Sequence, residues 1–310
     1  MKSCLIFMTR KITFHNVRED FPGYRTFGRH SKYSRYKTCQ PLDIGAGYNY
    51  EYDPELFPPR DPHFFRIITL NCNRFPRTLW SESILTCLLF AALPDVLILQ
   101  EVKAIPVLSE VVTAVTESVL PGRFSFFSGK EYQSGLNIAT VYNIDIHENP
   151  CKSEILPGFD IDDLYSLRRP VQLNGILNDH QLHFMNLHGV SRSQRDHQAI
   201  RLACLDAMKE YFLDPEKLYG MIVGGDWNID SNDLDFKLNF PEFNVFISDY
   251  FSPTDHFIIS KALISPDDIG EVLQYQMNIL EYLQLREADY LVYMSDHFPV
   301  VLDIPIELLS

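Results

Sequence analysis

Short apolar runs of strand length recur along this chain, alternate with stretches of helical spacing, and end in side chains capable of chemistry. Met221-Ile222-Val223-Gly224-Gly225-Asp226-Trp227-Asn228 shows the pattern most clearly. An apolar strand ends in two glycines, where the backbone can bend without steric penalty, and delivers a carboxylate and a carboxamide. In open α/β sheets, ligands gather outside the carboxyl ends of strands. On an extended strand Asp226 and Asn228, two residues apart, face the same side and could address one oxyanion or one hydrated cation. The competing reading is an ordinary turn after Gly-Gly.

The same grammar runs through the rest of the chain. Phe64 to Leu70 reads as a strand leading to Asn71-Cys72-Asn73. Ser81 to Leu93 has helical spacing, and Pro94-Asp95 turns the chain into the buried strand Val96-Leu97-Ile98-Leu99, which runs into Gln100-Glu101. Pro106 to Leu120 predicts a helix, Phe124 to Phe127 and Leu136 to Tyr142 predict strands, and Asn143 to Leu164 reads as a variable loop. Pro170 to Leu177 and Gln181 to Leu187 form an alternating pair, followed by an amphipathic helix over Ser193 to Phe212. Beyond Asn228 a short strand at Ile258-Ile259 follows Thr254-Asp255-His256, and Asp267 to Leu285 is expected to be helical. Leu291 to Tyr293 and Pro299 to Ile304 are expected strands bracketing Ser295-Asp296-His297. Strands alternating with helices define an α/β protein.

Pro-rich Leu56 to Pro62 withholds donors from any ladder, so the expected division is a basic, poorly ordered tail over 1–62 and a folded domain over 63–310. The net charge of −14 hides an asymmetry: Met1 to Gln40 holds nine of the 27 basic residues and two of the 41 acidic ones, a +7 leader on a −21 remainder. An acidic body gives no long-range attraction to a polyanion, so a phosphate-bearing substrate would need local positive charge or a bound cation. The six cysteines are scattered without zinc-site spacing and read as free thiols in a reducing compartment. No run approaches the ~18 apolar residues of a membrane span. A soluble, intracellular, preferably cytoplasmic protein is expected; the basic leader reads as a tail without an address, with an organelle transit peptide as the alternative.

Asn71, Glu101, His188, Asp226, Asn228, Asp255, Asp296 and His297 each stand at the end of an expected apolar strand or just past it. Each alone has an ordinary explanation as a cap, a turn residue or a hydrogen-bonded structural histidine. Together they form a set rich in carboxylates and carboxamides and free of thiolates, which favours Mg²⁺ or Mn²⁺ over zinc. Two imidazoles add donors suited to a phosphoryl oxygen. Positioned acid–base groups contribute about 10²–10⁴-fold, far less than phosphate-ester hydrolysis requires, so a cation with fixed donors around it is the expected larger effect.

Six segments carry a family resemblance: Ile67 to Asn73, Pro94 to Val102, Met185 to His188, Gly225 to Asn228, Thr254 to Ile259 and Ser295 to Val300. In order and content they resemble the signature segments of the endonuclease/exonuclease/phosphatase superfamily, the deoxyribonuclease I-like group of nucleases, sphingomyelinases and inositol-polyphosphate 5-phosphatases. The resemblance implies a four-layered α/β/β/α sandwich with two packed mixed sheets. It implies that Glu101 is the main metal carboxylate, with Asn71 and Asp296 on the metal side. Asp226 would position or deprotonate water, Asn228 would hold phosphate or that nucleophile, and His297, oriented by Asp255, would contact the scissile phosphate. His188 places the chain nearer the deoxyribonuclease I, sphingomyelinase and phosphatase branches than the exonuclease III-like enzymes. Arg168 or Arg169 resembles the arginine that begins a strand beside the phosphate, and Thr254-Asp255-His256 departs from the family's commoner residues around its aspartate.

The function implied is metal-dependent hydrolysis of a P–O bond by activated water, with nucleic acid slightly favoured as substrate. The alternatives are a phospholipid or inositol-phosphate esterase and an inactive binding module of the same fold.

Overall fold

The computed structural model describes residues 61–77, 79–118, 124–130, 135–144, 154–155, 170–177, 180–189, 218–229, 240–247, 254–277, 279–282 and 287–309, all within the unit Pro59–Ser310. The expected helix over Ser193 to Phe212 and the arginines Arg168 and Arg169 lie outside these residues.

Twelve strands are described: β1 (Phe64–Phe75), β2 (Val96–Val102), β3 (Phe124–Lys130), β4 (Asn137–Asn143), β5 (Glu154–Ile155), β6 (Val171–Leu177), β7 (His180–His188), β8 (Met221–Asp226), β9 (Phe243–Ile247), β10 (Asp255–Ser260), β11 (Leu273–Gln276) and β12 (Val300–Pro305). They form two six-stranded sheets, ordered β11-β12-β1-β2-β4-β3 and β5-β6-β7-β8-β10-β9. Each sheet is mixed, and each has one parallel pair near its centre, β1 with β2 and β7 with β8. The carboxyl ends of those four strands converge on the same region of the sandwich, because β1 and β2 pack across from β7 and β8.

The period-two alternation of strand side chains explains how the sheets meet. Phe65 and Ile67 of β1, Val96 and Ile98 of β2, Phe184 of β7, Ile222 of β8, Phe257 and Ile259 of β10, and Val300 and Leu302 of β12 fill one buried layer between the sheets. Phe65 stacks on Phe184 across it, with ring centroids 5.6 Å apart, a contact worth about 0.5–1.5 kcal/mol beyond its buried area. The opposite face of the second sheet buries Met185, Leu187, Met221, Val223, Trp227 and Ile258. Burial on both faces is why β8 reads as a continuous apolar run. Gly224 lets the sheets approach here, since a Cβ would press on the Phe257 ring and on Ile98 of the other sheet.

Helices α1 (Leu79–Ala92) and α2 (Ile105–Ser118) pack against each other, and α2 lies on β3. Ile84, Leu85, Leu88, Leu89 and Ala92 of α1 are buried, as their spacing predicts. Leu93, at φ +46, takes the left-handed position that ends α1 before Pro94. Among the described residues, no helix is long and apolar enough to cross a membrane.

Two expected elements are corrected. Asp267 to Leu285 is not one helix: among its described residues, a 3-10 turn at Ile269–Glu271 leads into β11, and α-helix is found at α3 (Ile279–Tyr282). The edge of the first sheet overrides local propensity, because β12 supplies antiparallel partners to Leu273 through Gln276. Leu291 to Tyr293 is not a strand but the end of α4 (Glu287–Tyr293), whose Tyr290 is fully buried. The expected variable loop contains β5, and β9 has a pattern too short and mixed to mark a strand.

Candidate active site

The inward rows of the core change character as they approach one rim. On β1 the row runs Phe65, Ile67, Thr69, Asn71; on β7, Leu182, Phe184, Asn186, His188; on β8, Ile222, Gly224, Asp226. On β10, antiparallel to β8, it runs backwards through Ile259 and Phe257 to Asp255, which lies beside Asp226 in the ladder. Side-chain alternation therefore carries Asn71, His188, Asp226 and Asp255 to the rim between the sheets.

Between the apolar core and this rim lies a polar layer. The Gln100 amide donates to Asn186 Oδ1 at 3.0 Å and to Thr69 Oγ1 at 3.3 Å, while the Asn186 amide donates to the carbonyls of Leu99 and Ala139, both at 3.0 Å. This ties the sheets together directly beneath the site. Gln100 and Asn186 were not among the expected site residues, although the alternation marks both as inward-facing.

Glu101 breaks the alternation. Its parity would turn it away from the rim, but it sits at φ +56 where the β2–β4 register shifts between Leu99 and Val102. Its carboxylate reaches to within 3.8 Å of His188 Nε2 and is the more accessible of the two acids beside that ring, 19% exposed against 2% for Asp226. Asn73, Arg74 and Asn228 also have positive φ. Among the described residues, three non-glycine positions in this conformation, Asn73, Glu101 and Asn228, thus lie at one rim, where backbone strain commonly accompanies function.

Asp226 is the junction of the cluster. Its Oδ2 accepts from Asn71 Nδ2 at 3.0 Å and from Asn228 Nδ2 at 3.1 Å, and its Oδ1 accepts the Asn228 backbone N–H at 2.9 Å. Asn228 is consequently not on an extended strand. It closes a turn at φ +52 through its own backbone N–H on Asp226 Oδ1, and that turn is what aims its amide at Asp226. Gly225, at φ +149, makes the bend: a Cβ there would collide with the Leu187 carbonyl. His188 Nε2 lies 3.6 Å and His297 Nε2 3.8 Å from Asp226 Oδ2. Burial alone would raise the Asp226 pKa, but the charges of His297 and His188 and the hydrogen bonds from Asn71 and Asn228 hold it below the ordinary carboxylate range.

His297 donates from Nδ1 to Asp255 Oδ2 at 2.7 Å. Burial works against its charge, yet Asp255 and then Asp226 push its pKa up to about 10. Burial pushes Asp255 up to about 6 against the pull of His297. At neutral pH the pair is an imidazolium on a carboxylate, with Nε2–H left as a donor facing Asp226. Asp226, Asp255 and His297 offer ligand atoms within 4.8 Å of one another, but an imidazole engaged at Nδ1 and protonated at Nε2 suits holding a proton better than holding a cation.

Asp296, beside His297, is exposed and accepts from Asn73 Nδ2 at 2.7 Å, while the Asn73 backbone N–H donates to Asn71 Oδ1 at 3.0 Å. Asn73 thereby links two of the expected metal-side residues. The unusual His256 has a role in the turn: Nε2–H donates to the Ile229 carbonyl at 2.7 Å, and its own carbonyl accepts from Trp227 Nε1 at 2.9 Å. Glu101, Asn71, His188, Asp226, Asn228, Asp255 and His297 are therefore brought together, with Asp296 at the edge through Asn73.

No model of a known protein family matches the chain, and no curated protein matches it in sequence. Solved structures do match. D. rerio TDP2 humanized by 14 mutations aligns with a TM-score of 0.55 at 17% identity, over 78% of this chain and 98% of that one. AP endonuclease LMAP from Leishmania major aligns with a TM-score of 0.53 at 15% identity, over 98% of this chain and 99% of that one. The human Nocturnin catalytic domain with bound sulfate anion aligns with a TM-score of 0.52 at 13% identity, over 77% and 93%. At such identities what is shared is architecture, and on that ground the chain has the deoxyribonuclease I-like fold.

Proposed function

We propose that this chain is a Mg²⁺- or Mn²⁺-dependent phosphoesterase that hydrolyses a P–O bond with water, acting on nucleic acid through the domain that begins near His63. The observation that carries this reading is the convergence of Asn71, His188, Asn228 and His297 on a single buried carboxylate, Asp226. Such a constellation orients a nucleophile and an electrophile together, which is where most of a hydrolase's advantage arises.

The donor set fits a hard divalent cation. Glu101 is partly exposed at the rim, Asp296 is an exposed carboxylate, and Asn71 adds a carboxamide. The nearest thiol in sequence, Cys72, is fully buried with its pKa pushed up by burial, so it stays a neutral thiol. Glu101, with Asn71 and Asp296, would hold the cation, which when bound supplies positive charge to offset that developing on the phosphate. Asp226, held below the ordinary carboxylate range, binds a proton weakly; it suits accepting a hydrogen bond from the attacking water and orienting it. Asn228 fixes Asp226. His297, with Nδ1 committed to Asp255, offers Nε2–H to a phosphoryl or leaving oxygen, and His188 lies beside Asp226 as a second donor. Arg168 and Arg169 precede β6 in sequence and are proposed to supply a guanidinium for the phosphate.

Nucleic acid is favoured as substrate because D. rerio TDP2, a protein of this fold, has been solved with a single-strand DNA product. The test is turnover of plasmid DNA, RNA, sphingomyelin vesicles and phosphoinositides by purified protein with Mg²⁺ or Mn²⁺, beside Asp226→Asn. Metal-dependent cleavage of DNA or RNA that disappears in the variant is expected. Lipid turnover alone would replace the substrate, and undiminished activity in Asp226→Asn would remove the reading.

A further inference from the structure

His297 sits in a loop, Ser295–Phe298, that belongs to neither a helix nor a strand, yet its imidazole must meet Asp255 and Asp226 within a few tenths of an ångström. The loop is fixed at its backbone. Ser295 Oγ donates to the Asn71 carbonyl at 2.5 Å and accepts the His297 N–H at 3.0 Å, so one end of the His297 residue is tied to β1. The other end is tied to α4: Tyr290 donates its hydroxyl to the His297 carbonyl at 2.9 Å. The Tyr290 ring, fully buried, stacks on Phe298 with centroids 4.7 Å apart and planes 13° from parallel.

The helix that presents Tyr290 is itself anchored. Arg77 Nη1 donates to the Leu291 carbonyl at 2.8 Å, and Ser81 Oγ donates to the Tyr293 carbonyl at 2.6 Å. Those carbonyls are at the C-terminal end of α4, where helical partners run out. The segment between α4 and β12 is therefore braced from the start of α1, through α4, to the His297 peptide. Filling the core needs only the ring of residue 290. The hydroxyl is spent on the histidine.

We propose that Tyr290 is a positioning residue for His297, its buried hydroxyl fixing the peptide from which the imidazole reaches Asp255. The assignment rests on the reading of His297 as a donor to the phosphate. Tyr290→Phe keeps the stacked ring and removes the restraint; a lost hydrogen bond that loosens a positioned group lowers kcat by roughly threefold to tenfold and leaves KM unchanged.

The experiment is a double-mutant cycle on bis-p-nitrophenyl phosphate with Mn²⁺, using the full chain as wild type, Tyr290→Phe, His297→Ala and the double variant. The threefold to tenfold loss is expected with His297 present and absent in the His297→Ala background, because the hydroxyl acts through that ring. No loss in Tyr290→Phe, or the same loss in both backgrounds, overturns the proposal. Wild-type turnover in His297→Ala sinks the reading of the site itself, and is distinguished by that single variant. Where His297→Ala has no measurable turnover, or Tyr290→Phe does not fold, proton NMR of the wild type decides. A slowly exchanging tyrosyl hydroxyl proton with a cross-peak to the Phe298 amide is expected, and its absence overturns the assignment.

Discussion

Two buried pairs of a carboxylate and a cation lie in one sandwich. On β1 and β12, Arg66 meets Asp303 through two hydrogen bonds of 2.8 Å, and Nη1 donates to the Ala92 carbonyl at 3.0 Å. Tyr275 donates to Asp303 Oδ2 at 3.0 Å, so both carboxylate oxygens are satisfied. At the rim, among the described residues, Asp255 accepts from His297 through Oδ2, and its buried Oδ1 has no partner. His297 Nε2 stops 3.8 Å from Asp226, beyond a hydrogen bond. The first pair has spent its bonding capacity on the protein and serves structure; the second holds capacity in reserve, at a cost in desolvation, and that reserve is what a substrate can use.

The contrast is broken or sharpened by perturbing each end separately. The largest effect on turnover is expected at the open pair: His297→Ala should lower metal-dependent turnover of bis-p-nitrophenyl phosphate by about 10²–10⁴-fold in protein that is still folded, with the urea midpoint also lowered because buried Asp255 loses its partner. Next is the closed pair, where Arg66→Met leaves Asp303 buried and uncompensated and should cost about 3–5 kcal/mol in urea unfolding, with kcat of the folded protein unchanged. A fall in turnover there as large as at His297 would erase the distinction.

A smaller effect is expected from pH. Folding raises the His297 pKa from 6.5 to about 10, so the native state binds the extra proton between those values. The stability this contributes is complete below 6.5 and is lost as pH rises through about 10. Unfolding free energy measured across that window should decline, and Asp255→Asn should flatten the decline because it removes the main cause of the shift. The smallest effect belongs to Tyr275→Phe. It takes one donor from Asp303 but leaves both bonds to Arg66, and should cost about 1 kcal/mol with no change in turnover.

Much of the architecture can be read along the chain because it is written in local periods. Val96 to Leu99 and Met221 to Val223 are buried on both faces, and a strand so placed has no choice but to be apolar. The polar rim could be read for a related reason: Asn71, His188 and Asp226 end inward-facing rows that begin apolar. The helix misassigned over Asp267 to Leu285 shows the limit, since β11 is a strand only because β12 offers it a ladder. Glu101 shows another, because its left-handed backbone and the shifted register that turns it inward leave no trace in residue type.

Sequence by itself determined the central strands, which residues face inward along them, and the oxygen-rich, thiol-free character of the rim, because alternation and burial act over a few residues. Tertiary structure alone decided the meetings: Asn71 with Asp226 across 155 residues, Asp255 with His297 across 42, and the Tyr290 hydroxyl with the peptide of His297. Those contacts depend on how two sheets pack and where a loop is braced, and hydrogen bonds with a range of about 3 Å leave no periodic record in the chain that makes them.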